Sequence, residues 1–174
     1  RLDADHIRAT LDLASAAKPQ GELHLPGAWV GRRYGVLLLR RQPPRLATVD
    51  AFAITGPGVY PLGDGRFLSA HLAGDSRAEG VTLVEFCGRQ VGFPLQVRAP
   101  RPGDRLQPSG MSGTRKLQDL FVDLKLPVED RSTALLIFGG GRLLWVAGIR
   151  RCEGLRPAAA GPVLRLELTG SATG

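Results

Sequence analysis

Apolar positions along the chain change their period several times, and each change marks an element. Over residues 3 to 17, Ile7, Leu11 and Ala14 recur at i, i+4 and i+7 with Leu13 beside them, the spacing of one amphipathic helix face. Asp3 or Asp5 offers an N-cap, and Pro19 with Gly21 ends the run. The period then shortens. Trp29, Val30, Tyr34 and the run Val36 to Leu39 predict short strands separated by Gly27, Gly31 and Gly35, with Arg32, Arg33, Arg40 and Arg41 on a solvated basic face. From Ala51 to Val97 the apolar runs A-F-A-I, V-Y-P-L, R-F-L-S-A-H-L, V-T-L-V-E-F-C and F-P-L-Q-V-R are divided by glycine and proline, which predicts an all-β meander or sandwich with no helix.

A second helical period lies within Arg98 to Arg131. Pro100, Pro102, Gly103, Pro108, Gly110 and Gly113 exclude regular structure up to about Thr114, after which Leu117, Leu120, Phe121 and Leu124 fall on one face of a helix of about three turns. Ser112 or Thr114 is the candidate N-cap, which places Arg115 and Lys116 in the first turn. Two cations there oppose the helix dipole, and a bound anion would reverse that penalty. A phosphate site and a solvated helix start are both compatible with these residues. Farther on, T-A-L-L-I-F and R-L-L-W-V-A-G-I flank Gly139, Gly140 and Gly141 as a hairpin with Trp145 in the core. Val163 to Leu168 forms a last strand in which Arg165 and Glu167 alternate with apolar residues. The three glycines read as a turn, because no nucleotide-loop pattern surrounds them.

Gln42, Pro43 and Pro44 interrupt both helix and ladder, so the boundary is placed there: residues 1–42 as a helix with strands, 45–170 as a second domain and 171–174 as a tail. The expected class is α+β, a β-rich sandwich-like domain with few short helices, preceded by a helix and short strands.

Charge sharpens this picture. The chain of 174 residues carries a net +7, and Arg98 to Arg156 holds 11 basic against 6 acidic residues, a local +5. Clustered Arg and Lys favour a polyanionic partner through counterion release. Arginine supplies 20 of the 23 bases, which suits bidentate phosphate contacts but also fits a GC-rich coding bias. Cys87 and Cys152 show no metal or redox spacing and predict buried thiols in a reducing compartment. No apolar run is long enough to span a membrane and no leader pattern is seen, so a cytoplasmic protein without a membrane partner is expected. A chain opening at Arg1 reads as part of something longer. His6, His24 and His71 lie on separate elements, and Asp119 and Asp123 share a helix face that reads as solvated. Asp104 reads as a loop-orienting group or an arginine partner, and Ser109 and Ser112 have no evident base. No catalytic or metal constellation is expected.

The motif series R-x-x-x-P-G-D-R, G-M-x-G-x-x-K-L-x-D-x-F, L-P-x-x-x-R and W-V-A-G-x-R, in this order over residues 94–151, resembles the C-terminal domain of bacterial tRNA(Ile)-lysidine synthetases. Upstream, the helix, L-P-G and R-R-Y-G-V-L segments look like the end of that family's middle domain. The resemblance implies a parent ligase that uses ATP and Mg to join lysine to the wobble cytidine of a minor isoleucine tRNA. That chemistry belongs to an N-terminal domain with an S-G-G-x-D-S loop. Nothing here matches the loop, since S-G-M-S-G-T lacks the aspartate, so this chain is expected to be non-catalytic and to hold no cofactor. The implied fold is similar to a domain of the phenylalanyl-tRNA synthetase β chain. The implied partners are the tRNA acceptor arm and the parent's own catalytic domain, and a homodimer is compatible with the sequence. Carried onto matching positions, the candidate RNA contacts are Arg98, Arg101, Arg105, Arg115, Lys116, Lys125, Arg131 and Arg150. After Arg151 the sequence departs from the family pattern, and no contacts are carried farther. The competing expectation is a packing module that touches RNA little.

Overall fold

The computed structural model describes residues 2–43, 49–77, 79–108, 113–152, 154–157 and 161–170. In chain order the elements are α1 (Ala4–Ser15), β1 (Gln20–Leu25), β2 (Ala28–Arg33), β3 (Val36–Arg40), β4 (Phe52–Ile54), β5 (Gly58–Pro61), β6 (Phe67–Ala73), β7 (Leu83–Cys87), β8 (Leu95–Arg98), β9 (Arg105–Leu106), β10 (Arg115–Lys116), α2 (Leu117–Asp123), α3 (Val128–Thr133), β11 (Leu136–Gly139), β12 (Arg142–Val146), β13 (Arg150–Arg151) and β14 (Val163–Thr169). The proposed boundary at Gln42 to Pro44 runs into residues 44–48, which lie outside the described residues, as does the tail 171–174.

Asp3 caps α1: its carboxylate accepts from the N–H groups of Asp5 and His6 at 3.1 and 3.0 Å, and the His6 ring accepts from the Asp3 N–H at 3.2 Å. The apolar face foreseen for this helix does not enter a core. Ile7 and Leu11 are 61% and 63% exposed, and no residue of α1 is buried. Arg32, expected on a solvated face, instead closes the far end of α1 by donating to the carbonyls of Leu13 and Lys18 at 3.3 Å and to that of Ala16. Gly31, expected between strands, sits inside β2 beneath the Trp29 ring, where an added Cβ would stand 2.1 Å from an indole carbon.

Downstream, two antiparallel sheets face each other. One has the order β13-β12-β11-β8-β4 and the other β5-β6-β14-β7. Between them lie Ile54, Leu68, Phe86, Leu95, Val97, Ile137, Trp145, Leu164 and Leu166, all nearly inaccessible to water. The alternating apolar runs of residues 51–97 become β4 to β8, as their period requires. A second, smaller core lies on the outer face of the five-stranded sheet, where Leu136 and Val146 meet Leu106, Leu117, Leu120 and Phe121. β11 therefore turns Ile137 to one core and Leu136 to the other. A bulge between Ile137 and Phe138 lets Leu144 and Trp145 both face the first core.

One departure from strand alternation has a clear electrostatic cause. Arg165 alternates with apolar residues on β14, yet it is 8% exposed and opposite Glu85 of β7, to which its Nε donates at 2.7 Å. Residues 75–77 fold over this pair. The Ser76 hydroxyl and the Arg77 N–H donate to Glu85, and Arg165 donates to the Asp75 carbonyl at 2.9 Å. Burial opposes ionisation of Glu85, but the Ser76, Arg165 and Arg77 donors together hold its carboxyl below the ordinary value of 4.5. Its contribution to stability is therefore complete above about pH 4.5 and disappears as pH falls through the lower folded value. Glu85→Ala, which strands a buried guanidinium, is expected to cost about 3–5 kcal/mol in urea unfolding near neutral pH and to flatten the acid limb of the stability profile.

Candidate nucleic-acid interface

The R-A-P-R-P-G-D-R segment is held by its own ends. Arg98 at the end of β8 donates two parallel hydrogen bonds to Asp104, at 2.8 and 2.7 Å, and its guanidinium lies 4.4 Å above the Phe138 ring. Asp104 also accepts from the Arg101 N–H at 2.7 Å. Gly103, with φ of 89°, makes the tight turn between them. The Arg98 guanidinium holds the Asp104 carboxyl well below the usual carboxylate range, against a smaller opposing effect of burial. Asp104 fits the expectation of an arginine partner, and the Arg98 side chain is committed to this latch.

The latch delivers the chain into β9, which pairs with β10 as a two-residue ribbon. This corrects the predicted helix start. Arg115 and Lys116 are extended and paired with Leu106 and Arg105, and α2 begins only at Leu117, with Lys116 in the N-cap position and no side-chain cap. The Asp104 carbonyl accepts from the Leu117 N–H at 2.9 Å. Burial of Leu106 and Leu117 in the second core fixes the ribbon, and this long-range contact outweighs local helix periodicity. The helix is seven residues, and Leu124, expected on its apolar face, is 44% exposed at its end. Arg115 and Lys116 therefore lie outside the helix, and its dipole does not create a phosphate site at them. Ser112, the other candidate cap, and Ser109 lie outside the described residues.

The ribbon instead carries a cross-strand pair of like charge. Arg105 and Lys116 stand directly opposite each other and both are exposed. Arg105 donates to the Thr114 hydroxyl at 3.0 Å and to its carbonyl at 2.9 Å, partners that orient the guanidinium without neutralising it. Lys116 has no ion pair among the described residues. Like charges at directly opposed positions repel, so this arrangement is relieved by an external anion. Arg115, by contrast, is bridged to Asp123 at 2.8 Å.

Arg101 extends the basic surface. With Lys116 and Arg131 it lines an open groove of about 640 Å³ between the Pro100–Asp104 loop and helices α2 and α3, which Leu117, Phe121 and Val128 also line. Arg142 and Arg105 share a smaller groove of about 210 Å³ next to the Gly140–Gly141 turn. Arg142 was missing from the candidate contacts, because a charge at a hairpin turn carries no local signal and only the pairing of β9 near β12 brings it in. Lys125 and Arg150 are exposed and line neither groove. Arg131 is anchored, donating to the Leu126 carbonyl at 2.8 Å and to the Tyr34 hydroxyl at 3.3 Å. Cys152 is buried in the second core, and burial pushes its thiol up to about 12, so it is not a nucleophile at neutral pH. Among the described residues no three His, Cys, Asp or Glu side chains are grouped to hold a metal ion, and no helix is long and apolar enough to cross a membrane.

Comparison with known proteins bears on the same segment. The model of the TilS substrate C-terminal domain matches residues 95–168, from the start of β8 to the end of β14. Residues 95–168 belong to that family. The tRNA(Ile)-lysidine synthase of Geobacter sulfurreducens is 37% identical over 163 residues, a match covering 91% of this chain and 35% of that protein. That of Bacillus licheniformis is 30% identical over 156 residues, covering 86% of this chain and 33% of that protein. The chain thus spans about a third of the length of the curated relatives it matches. Its fold matches a solved TilS C-terminal domain with a TM-score of 0.60 at 23% identity, over 71% of this chain and all of that one. Within this TilS domain the latch aspartate serves the fold. Asp104→Asn is expected to lower stability by about 2 kcal/mol, a loss typical of hydrogen bonds to a charged partner, read as an earlier urea midpoint with an unchanged slope.

Proposed function

We propose that this chain is the tRNA-holding C-terminal portion of a tRNA(Ile)-lysidine synthetase, and that it grips the acceptor arm while a catalytic domain outside this chain modifies the wobble cytidine. The observation that carries the reading is the uncompensated, cross-strand Arg105–Lys116 pair with Arg101 beside it, inside the segment that belongs to the TilS family. Phosphates on A-form RNA supply the anion such a pair lacks, through backbone contacts that need no base reading. The names of the relatives support tRNA as the polyanion. ATP and Mg enter in the portion of the protein outside this chain, and the whole enzyme works in the cytoplasm.

Of the eight residues first nominated, Arg101, Arg105 and Lys116 form the primary contact set, and Arg142 joins them. Lys125 and Arg150 contribute to the general field. Arg98 and Arg115 serve the fold through Asp104 and Asp123.

A second reading, a module that mainly positions the catalytic domain, draws on a different contact. Arg33 of β2 is paired with Glu129 of α3 at 2.7 Å, tying the N-terminal sheet to the family domain. The two readings separate on salt dependence. Titration of the minor isoleucine tRNA against the full chain should give a steep log–log salt slope. Arg105→Ala with Lys116→Ala should flatten it by roughly 0.7–0.9 for each phosphate no longer neutralised, while Lys125→Ala changes it little. A slope untouched by the double substitution would leave the positioning role as the better account.

A further inference from the structure

The 640 Å³ groove differs in character from the exposed ribbon beside it. Its lining includes Pro100, Pro102 and the exposed Val128 beside the nearly buried Leu117 and Phe121, whereas a surface that only tracks a phosphate backbone needs charge and no apolar lining. Its cations are of two kinds. Lys116 has no ion pair among the described residues, and Arg101 forms none there, although its charge acts on Asp104 at a distance. Arg131 in the wall is held rigid by two neutral oxygens, the Leu126 carbonyl and the Tyr34 hydroxyl, so its planar guanidinium is oriented and its charge is not cancelled. The anion lining the groove, Asp104, is fully engaged by Arg98 and the Arg101 N–H. An apolar lining, a fixed guanidinium plane and two cations without ion pairs among the described residues match a ligand that joins a flat ring to a phosphate. The size falls within the roughly 300–1,000 Å³ range of sites that enclose small molecules.

We propose that this groove takes an unpaired nucleotide of the bound RNA, its base laid on the apolar lining around Val128, Pro100 and Pro102 against Arg131 and its phosphate between Arg101 and Lys116. Bases in unpaired RNA are free to splay out and stack on guanidinium planes and apolar side chains, while bases in a helix are not. The inference rests on the tRNA-holding reading and adds a second mode of contact to it. The unpaired nucleotide comes from the 3′ end or from a loop, and the groove chemistry is the same for both.

The test is a double-mutant cycle between protein and RNA, run on the full chain at one fixed salt concentration. Two variants perturb the groove: Arg131→Lys, which keeps the charge and loses the planar fork, and Val128→Glu, at a lining position 54% exposed and so tolerant of change. Thermal melting of each confirms the fold. The RNAs are intact minor isoleucine tRNA, the same tRNA trimmed of its unpaired 3′ nucleotides, a version with its loops closed by short stable turns, and a blunt, fully paired duplex. Each variant is expected to weaken intact tRNA about tenfold, the size of one stacking or bidentate interaction. The effect should vanish on the fully paired RNA and on one of the two altered tRNAs, and which of those two it is identifies the source. Equal weakening on every RNA, including the paired duplex, would overturn the proposal, as would unchanged affinity in both variants or competition by an acidic peptide that leaves all RNAs bound alike. Absence of any tRNA binding by the unaltered chain would instead remove the tRNA reading, and the groove's occupant with it.

Discussion

The bidentate bond between Arg98 and Asp104 is the constraint on which the basic surface depends. Without it, a segment containing Pro100, Pro102 and Gly103 has few local reasons to adopt one path. With it, the chain leaves β8, turns back on itself and enters β9 in a fixed register, while the Asp104 carbonyl receives the first N–H of α2. The latch is itself shielded, because Phe138 covers one face of the guanidinium. One arginine is thus neutralised so that its neighbours Arg101 and Arg105 can stay charged and placed.

The charges of the chain divide along that line. Arg33, Arg66, Arg98 and Arg165 each meet a carboxylate in a half-buried or buried setting, and they serve the fold. Among the described residues Arg101, Arg105 and Lys116 form no such ion pair. A count of basic residues treats both groups alike, so the local +5 overstates the charge left unpaired on the surface.

Much of the β architecture was legible because period-two alternation and glycine breaks are local. The five runs between Ala51 and Val97 became β4 to β8 almost residue for residue, and Trp145 took its place in the core. What could not be read depended on partners far away in sequence. Arg165 looks like an outward strand residue until the 75–77 segment is laid over it. Arg115 and Lys116 look like a helix start until Arg105 and Leu106 pair with them. α3 was missed altogether, since the six residues Val128–Thr133, following Pro127 and carrying Glu129, Asp130 and Arg131, present no apolar face. The candidate site was legible as a region and as a motif series, and the division of labour within it was not.

That overlooked helix is a shared wall. On one side, Glu129 holds Arg33, the Val128 N–H donates to Gln20 and Arg131 reaches Tyr34, so the helix-and-hairpin unit at the start of the chain leans on it. On the other, Val128, Arg131 and Ser132 border the groove. Val128 and Arg131 therefore have two neighbours at once, and the wall cannot yield toward one without being felt by the other. Six residues tie the shape of the groove to the direction in which the first forty residues point.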